Sequence, residues 1–166
     1  MKEVKFIYHR DIDYDLLNEI IKIKSVAWPY SYENQKKWIN SNLNDEDIHV
    51  LLSDGKRYLA YMNLIKTAVV IDSEELAIYG IGNVCALEKG KGWGKDIIIA
   101  VNQYLNKIDS LGVLFCKKDL VKFYSENGWN LVHQSQLKID NEDKTIYCMI
   151  NKIIKFETLQ YNGKLF

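Results

Sequence analysis

Proline is nearly missing: Pro29 is the single one in 166 residues, which excludes a Pro-rich linker or recognition segment. Cysteine is scarce too. Cys85, Cys116 and Cys148 sit singly inside apolar runs, without the short spacings of a metal or redox motif, and read as reduced core thiols. His9, His49 and His133 are lone histidines in strand-like segments, which suits structural residues better than bases. Neither sign of charge is in excess. Lys+Arg and Asp+Glu both number 22, so no global field draws nucleic acid or a membrane, and a charged partner must be met by a local patch. No apolar run approaches the ~20 residues of a membrane helix. A charged, strand-like segment follows Met1 in place of a signal peptide's apolar core, so a cytoplasmic location is expected.

What is present is a chain that is 48% hydrophobic, enough for one substantial core, and a single domain over residues 1–166 is expected. "KEVKFIYH" alternates like a strand, and "YDLLNEIIKIKSVAW" carries Leu16, Ile20, Ile23 and Ala27 at helical spacing. Pro29 breaks that helix at Trp28, and a second helix resumes with Ser31 as its cap. Asp54-Gly55 joins two strands as a hairpin. "EELAIYGIGNVCALE" is a further strand, a helix spans 92–108 with Trp93, Ile97, Val101, Tyr104 and Ile108 as its apolar stripe, and "SLGVLFC" is a buried strand. A short helix ends at Gly128, and "WNLVHQSQLKI" and "TIYCMINKII" are late strands. The fold class expected is α/β (α+β), a mixed, mostly antiparallel central sheet flanked by helices.

One stretch concentrates chemistry: "EKGKGWGKD" at the mouth of the third helix. A nucleotide-triphosphatase loop needs Gly at 89 and Ser or Thr at 96, where Lys89 and Asp96 stand. A dinucleotide fingerprint from Gly90 or Gly92 needs Gly at 95 or 97, where Lys95 and Ile97 stand. What survives is a set of glycines, Gly90, Gly92 and Gly94, that lets a ligand approach the backbone at the positive end of a helix, with Lys89, Lys91 and Lys95 around it. A polyanion fits there. An ordinary Gly-rich turn with solvated lysines fits this stretch equally well.

A second segment, "LGVLFCKKDLVKFYSENGWNLV", decides between them. With the first it resembles the GCN5-related N-acetyltransferase family, whose acetyl-CoA site is marked by Arg/Gln-x-x-Gly-x-Gly and Phe-Tyr-x-x-x-Gly-Phe. The matching residues are Lys89-Gly90-Lys91-Gly92-Trp93-Gly94 and Phe123-Tyr124-Ser125-Glu126-Asn127-Gly128-Trp129. A closer likeness is to the aminoglycoside 2′-N-acetyltransferase branch, through the Gly-Trp after the Tyr helix, the acidic turn Asp140, Glu142 and Asp143, and the aromatic Phe166.

The resemblance implies an acetyl-CoA-dependent N-acetyltransferase acting on a small-molecule primary amine by direct transfer. It assigns phosphate contacts to Lys89, Gly90, Lys91, Gly92, Trp93, Gly94 and Lys95, with Lys117 as a further one. It assigns backbone contacts with the pantetheine and thioester to Val84, Cys85 and Leu87, beyond a bulge marked by Gly80 and Gly82. Tyr124, with an expected pKa near 10, protonates the departing thiolate. On the acceptor side it implies Trp28, Tyr30 and Tyr32 in the loop between the first two helices, Tyr79, Asp143 and Phe166. Three departures stand out. Lys89 replaces an arginine and loses its fork, Lys117 stands where Asn is common, and "AIYGIGNVC" holds no carboxylate to deprotonate the amine. Tyr79 or Asn83 orienting a water, or Glu74 and Glu75 upstream, are the alternatives for a base. Cys85 is the rival nucleophile, with no obvious base beside it. A non-catalytic acyl-CoA sensor is the alternative function, an interaction domain without nucleotide a third, and a homodimer is left open.

Overall fold

A computed structural model of the chain describes residues 1–140 and 145–166. The elements are β1 (Glu3–Tyr8), a 3-10 turn (His9–Asp11), α1 (Tyr14–Ala27), α2 (Tyr32–Asn42), β2 (Ile48–Ser53), β3 (Tyr58–Ile71), β4 (Glu74–Ala86), α3 (Trp93–Lys107), β5 (Leu111–Lys117), α4 (Lys118–Glu126), β6 (Asn130–Leu131), β7 (Leu137–Ile139), β8 (Ile146–Ile150) and β9 (Leu159–Tyr161). The strands hydrogen-bond in the order β1-β2-β3-β4-β5-β8-β6, with β9 on β3 and β7 on β9. Parallel pairing is confined, among the registered pairs, to β4 with β5 and β7 with β9. The mixed, mostly antiparallel sheet expected from the sequence is the one observed. Among the described residues no helix is long and apolar enough to cross a membrane.

The chain divides into two units, residues 1–65 with 82–101, and residues 66–81 with 102–166. In the first, Asp13 caps α1 by accepting from Leu16 N at 2.8 Å, and Ser31 caps α2 through Asn34 N at 3.3 Å. The inward face of α1 carries Leu17, Ile20, Ile21 and Lys24, a set at i, i+3, i+4 and i+7. Its apolar members pack with Ile39 of α2, Leu51 of β2, Tyr61 of β3 and Cys85 of β4. The β2–β3 turn is held by Asp54, whose Oδ1 accepts from Lys56 N and Arg57 N at 2.9 and 3.0 Å, while Gly55 supplies a φ of +89°.

The second unit is organised on the parallel pairing of β4 with β5, from Ile78↔Leu111 to Ile81↔Leu114, which completes the strand-helix-strand crossover through α3. Its core gathers Val69, Ile78, Leu111, Val113, Cys148, Ile150, Leu159 and Tyr161. β3 turns into β4 at Asp72 and Ser73, both with positive φ and neither a glycine. Asp72 holds the turn from its side chain, because its Oδ1 accepts from Glu157 N and Thr158 N at 2.9 and 2.8 Å.

Three expectations need correction. The late strand over "WNLVHQSQLKI" is two short strands, β6 and β7, because residues 132–136 turn, with Gln136 N donating to His133 O. β9, in the tail, was not foreseen. On α3 the buried residues are Trp93, Ile97, Ile98, Val101 and Leu105, whereas Ile108 is 42% exposed and lies beyond the helix; the stripe follows i, i+4, i+8, i+12 through Leu105 instead of Tyr104.

Candidate functional site

The Lys/Gly knot lies in the first unit, between the end of β4 and the start of α3. Gly90 and Gly92 both have φ +77°, a left-handed conformation that alternates with ordinary residues and turns successive N–H groups to one side. A Cβ at either glycine would meet nothing within 4 Å, so the space in front of this backbone is open. The first α-helical bond is Asp96 N to Gly92 O at 3.0 Å, which leaves the amides before residue 96 without intrahelical acceptors. Gly94 is helical, Trp93 is 9% exposed and directed into the protein, and Lys89, Lys91 and Lys95 are exposed. Lys91 pairs with Glu88 at 3.8 Å.

A cation that sequence reasoning missed reaches the same place. Arg57, carried on the β2–β3 turn, lies 5.6 Å from the Trp93 ring centroid and 3.4 Å from Glu88. It brings a guanidinium, with its fork of donors, to the side of the knot. Nothing local in "SDGKRYL" distinguishes Arg57 from Lys56.

β4 leaves regular strand geometry at Asn83, whose φ is +54°. The irregular residue is therefore Asn83, and Gly80 and Gly82 are not the positions that require it. Asn83 Nδ2 donates to Asn63 Oδ1 at 3.1 Å, and its Oδ1 accepts from Lys24 Nζ at 3.1 Å. Lys24 is 2% exposed, and its Nζ stands 3.8 Å from the Trp38 ring centroid and 6.0 Å from that of Trp28. Burial pulls its pKa down to about 8, against a small opposing effect of Cys85. The clue lay in the helical spacing of Leu17, Ile20, Ile21 and Lys24, which puts the lysine on the buried face.

Cys85 is 7% exposed and burial pushes its thiol up to about 12, so it remains a neutral core thiol and does not serve as a nucleophile. Val84 and Leu87 are half-buried. His9 and His49 are not lone: His9 Nδ1 lies 2.9 Å from His49 Nε2, and His49 Nδ1 lies 2.9 Å from the Tyr61 hydroxyl. His49 is fully buried and its pKa falls to about 3, through burial first and then the charges of His9 and Lys24. Trp28 and Tyr32 pack against the first unit's core, with Gln35 Nε2 donating to Trp28 O at 2.6 Å and the Tyr32 hydroxyl to Asn18 Oδ1 at 2.6 Å. Tyr30 is 65% exposed.

In the second unit, Gly128, with φ +88°, folds the chain after α4 so that Trp129 N donates to Tyr124 O at 3.1 Å and the two rings meet edge-on at 6.4 Å. Tyr124 is 6% exposed. Its expected pKa near 10 is overturned: burial, with a contribution from Cys116, raises it well above that value. Lys117 precedes α4 and lines an open recess of about 750 Å³ together with Lys118, Asp119, Lys122, Thr145 and Tyr147. Tyr79 is half-buried on β4 opposite Gly112, and Glu74 and Glu75 are exposed at the start of that strand. Phe166 packs on Phe115 and Tyr161 at centroid distances of 5.3 and 5.4 Å. Asp140 is exposed, whereas Glu142 and Asp143 lie outside the described residues.

No protein-family model matches the chain, and no curated protein matches it in sequence. Solved structures do. ElaA from Escherichia coli is 18% identical over 92% of this chain and 100% of its own, with a TM-score of 0.66. An acyl-CoA N-acyltransferase from Pseudomonas aeruginosa is 15% identical over 92% of this chain and 100% of its own, again with a TM-score of 0.66. The GNAT family N-acetyltransferase YhbS from Escherichia coli, in complex with CoA, is 13% identical over 97% of this chain and 89% of its own, with a TM-score of 0.67. What these proteins share at such identities is architecture, and the chain has the fold of the GCN5-related N-acetyltransferases.

Proposed function

We propose that residues 1–166 work as a single acetyl-CoA-dependent N-acetyltransferase domain, moving an acetyl group directly to a primary amine of a small molecule. The observation that carries this is the left-handed pair Gly90 and Gly92 opening α3, with open space where their side chains would stand. That cradle fits a pyrophosphate. The backbone amides at 93–95 and the charges of Lys89, Lys95 and Arg57 hold it there. Acetyl-CoA supplies the activated acyl group as a thioester. The backbone of Val84, Cys85 and Leu87, past the irregular Asn83, orients that group, and Tyr124 returns a proton to the sulfur. Burial raises the phenol's pKa above that of a thiol, so Tyr124 stays protonated and serves as a hydrogen-bond donor to the charge that develops on sulfur as the C–S bond breaks.

For the acceptor, the finer reading is an aminoglycoside-like cation met by exposed Tyr30 and the acidic turn that begins at Asp140. Charge reversal at Asp140, Glu142 and Asp143 then raises the acceptor's KM and leaves acetyl-CoA affinity alone. The burial of Tyr124 favours a second reading, a non-catalytic acyl-CoA sensor, in which that phenol is only a core aromatic. Thiol release from acetyl-CoA across a panel of primary amines separates the two. Release with any amine supports the transferase, whereas acetyl-CoA-dependent thermal stabilisation with no release supports the sensor.

A further inference from the structure

Past its exposed first residues, Glu74 and Glu75, β4 offers no carboxylate to deprotonate the acceptor, and a different group stands against its irregular point. We infer that Lys24, held against Asn83 at the irregular point of β4, is the general base of the transfer. The inference rests on the N-acetyltransferase reading.

Lys24 is a lysine that the fold buries without an acid. Among the described residues no carboxylate lies within ion-pair distance of its Nζ. Desolvation favours the neutral amine, whose lone pair can accept a proton. Asn83 Oδ1 at 3.1 Å and the Trp38 face at 3.8 Å favour the ammonium that results. These opposed influences set a base near neutrality. Asn63 fixes the direction of the Asn83 amide by taking its Nδ2–H, so Oδ1 is the atom turned to Lys24. The other titratable groups around Lys24 do not compete. Cys85 on β4 is pushed up to about 12, His49 on β2 is drawn down to about 3, and Tyr61 on β3 is raised well above 10. His9 lies beyond His49. Lys24 itself, at about 8, changes charge within the working range.

The step balances simply. The acceptor ammonium gives one proton to neutral Lys24 Nζ, directly or across one water, and becomes a free amine. Its lone pair forms the C–N bond as the C–S bond breaks; the sulfur takes a proton by way of Tyr124, the second proton leaving the nitrogen replaces that one, and Lys24 then releases its own to solvent. The distance from Asn83 to Val84, one residue, is what brings this base to the segment proposed to orient the thioester.

The test uses the full chain. Nitrogen-detected NMR titration of its lysines should show the Lys24 amine changing charge near pH 8, and a midpoint above 10 overturns the inference whatever the activity. In thiol-release assays with acetyl-CoA and ethylamine, kcat/KM should fall on the acid side of that midpoint. Asn83→Asp sets a carboxylate beside the amine and should move both midpoint and acid limb to higher pH together. A limb that stays while the midpoint moves excludes Lys24 as the base. Lys24→Arg keeps the charge but cannot accept a proton, and should lower kcat about 10²-fold or more with acetyl-CoA affinity unchanged. Trifluoroethylamine, largely unprotonated at neutral pH, should be far less sensitive to Lys24→Arg; equal loss for both amines points to a merely structural lysine. Absence of thiol release by the wild-type protein with every amine would sink the transferase reading itself, a result distinct from release that ignores Lys24.

Discussion

The ring of Phe166 stands where a side chain on Gly80 would lie: a Cβ there would be 2.7 Å from Phe166 Cδ1 and nearer still to the rest of that edge. Gly80 on β4 is thus a glycine because the tail's aromatic residue needs its face. Gly80→Ala should destabilise the protein by about 1–3 kcal/mol, the usual range for overpacking. Chemical denaturation measures it. In a Phe166→Ala background the same change should be nearly neutral, and equal losses in both backgrounds would show that the ring is not the cause.

Acid should weaken the fold through His49. Unfolded, this histidine takes a proton below its ordinary 6.5; folded, it resists until about pH 3. The unfolded state therefore binds more protons across that window, and stability is lost as pH falls from 6.5 toward 3. At pH 5 the loss is on the order of 2 kcal/mol. Unfolding curves of His49→Gln should be flatter over the same window, and an unchanged slope would assign the acid sensitivity elsewhere.

Gly92→Val tests the phosphate cradle. With φ +77° and free space around it, the new side chain meets backbone strain of about 1–2 kcal/mol and no protein neighbour. The variant should fold, with a lowered melting temperature. Its affinity for acetyl-CoA, read by calorimetry, should fall by much more than that strain accounts for. Full affinity in the folded variant would remove the knot from the binding site.

Tyr124→Phe keeps a ring that packs against Phe123 and Trp129 and deletes only the hydroxyl. Single-turnover rates should drop about 10²- to 10⁴-fold with acetyl-CoA binding nearly intact, since general-acid help is needed chiefly as the C–S bond breaks. An unchanged chemical rate would return Tyr124 to the core.

Features set by near neighbours along the chain were legible without coordinates. Ser31 caps a helix, Asp54-Gly55 makes a hairpin and Gly128 ends α4, because each depends on φ and on bonds spanning a few residues. The alternation of strands and helices followed from hydrophobic period alone. The positive-φ turn at Asp72 and Ser73 escaped notice, since its support comes from Glu157 and Thr158, more than eighty residues away.

The chemistry beside β4 was decided by tertiary structure. Lys24 and Asn83 are 59 residues apart, and only the stacking of α1 and α2 over the strands strips water from that amine and lays it on Trp38. His9 and His49 become a pair, and Arg57 reaches the knot, for the same reason: strand register brings them there. Desolvation depends on what covers a group from every side, and no spacing in one segment records that. Composition and local pattern determined most of the elements and put the Lys/Gly knot at the mouth of α3, though not β9 or the break between β6 and β7; burial determined which side chains inside that frame can hold or move a proton.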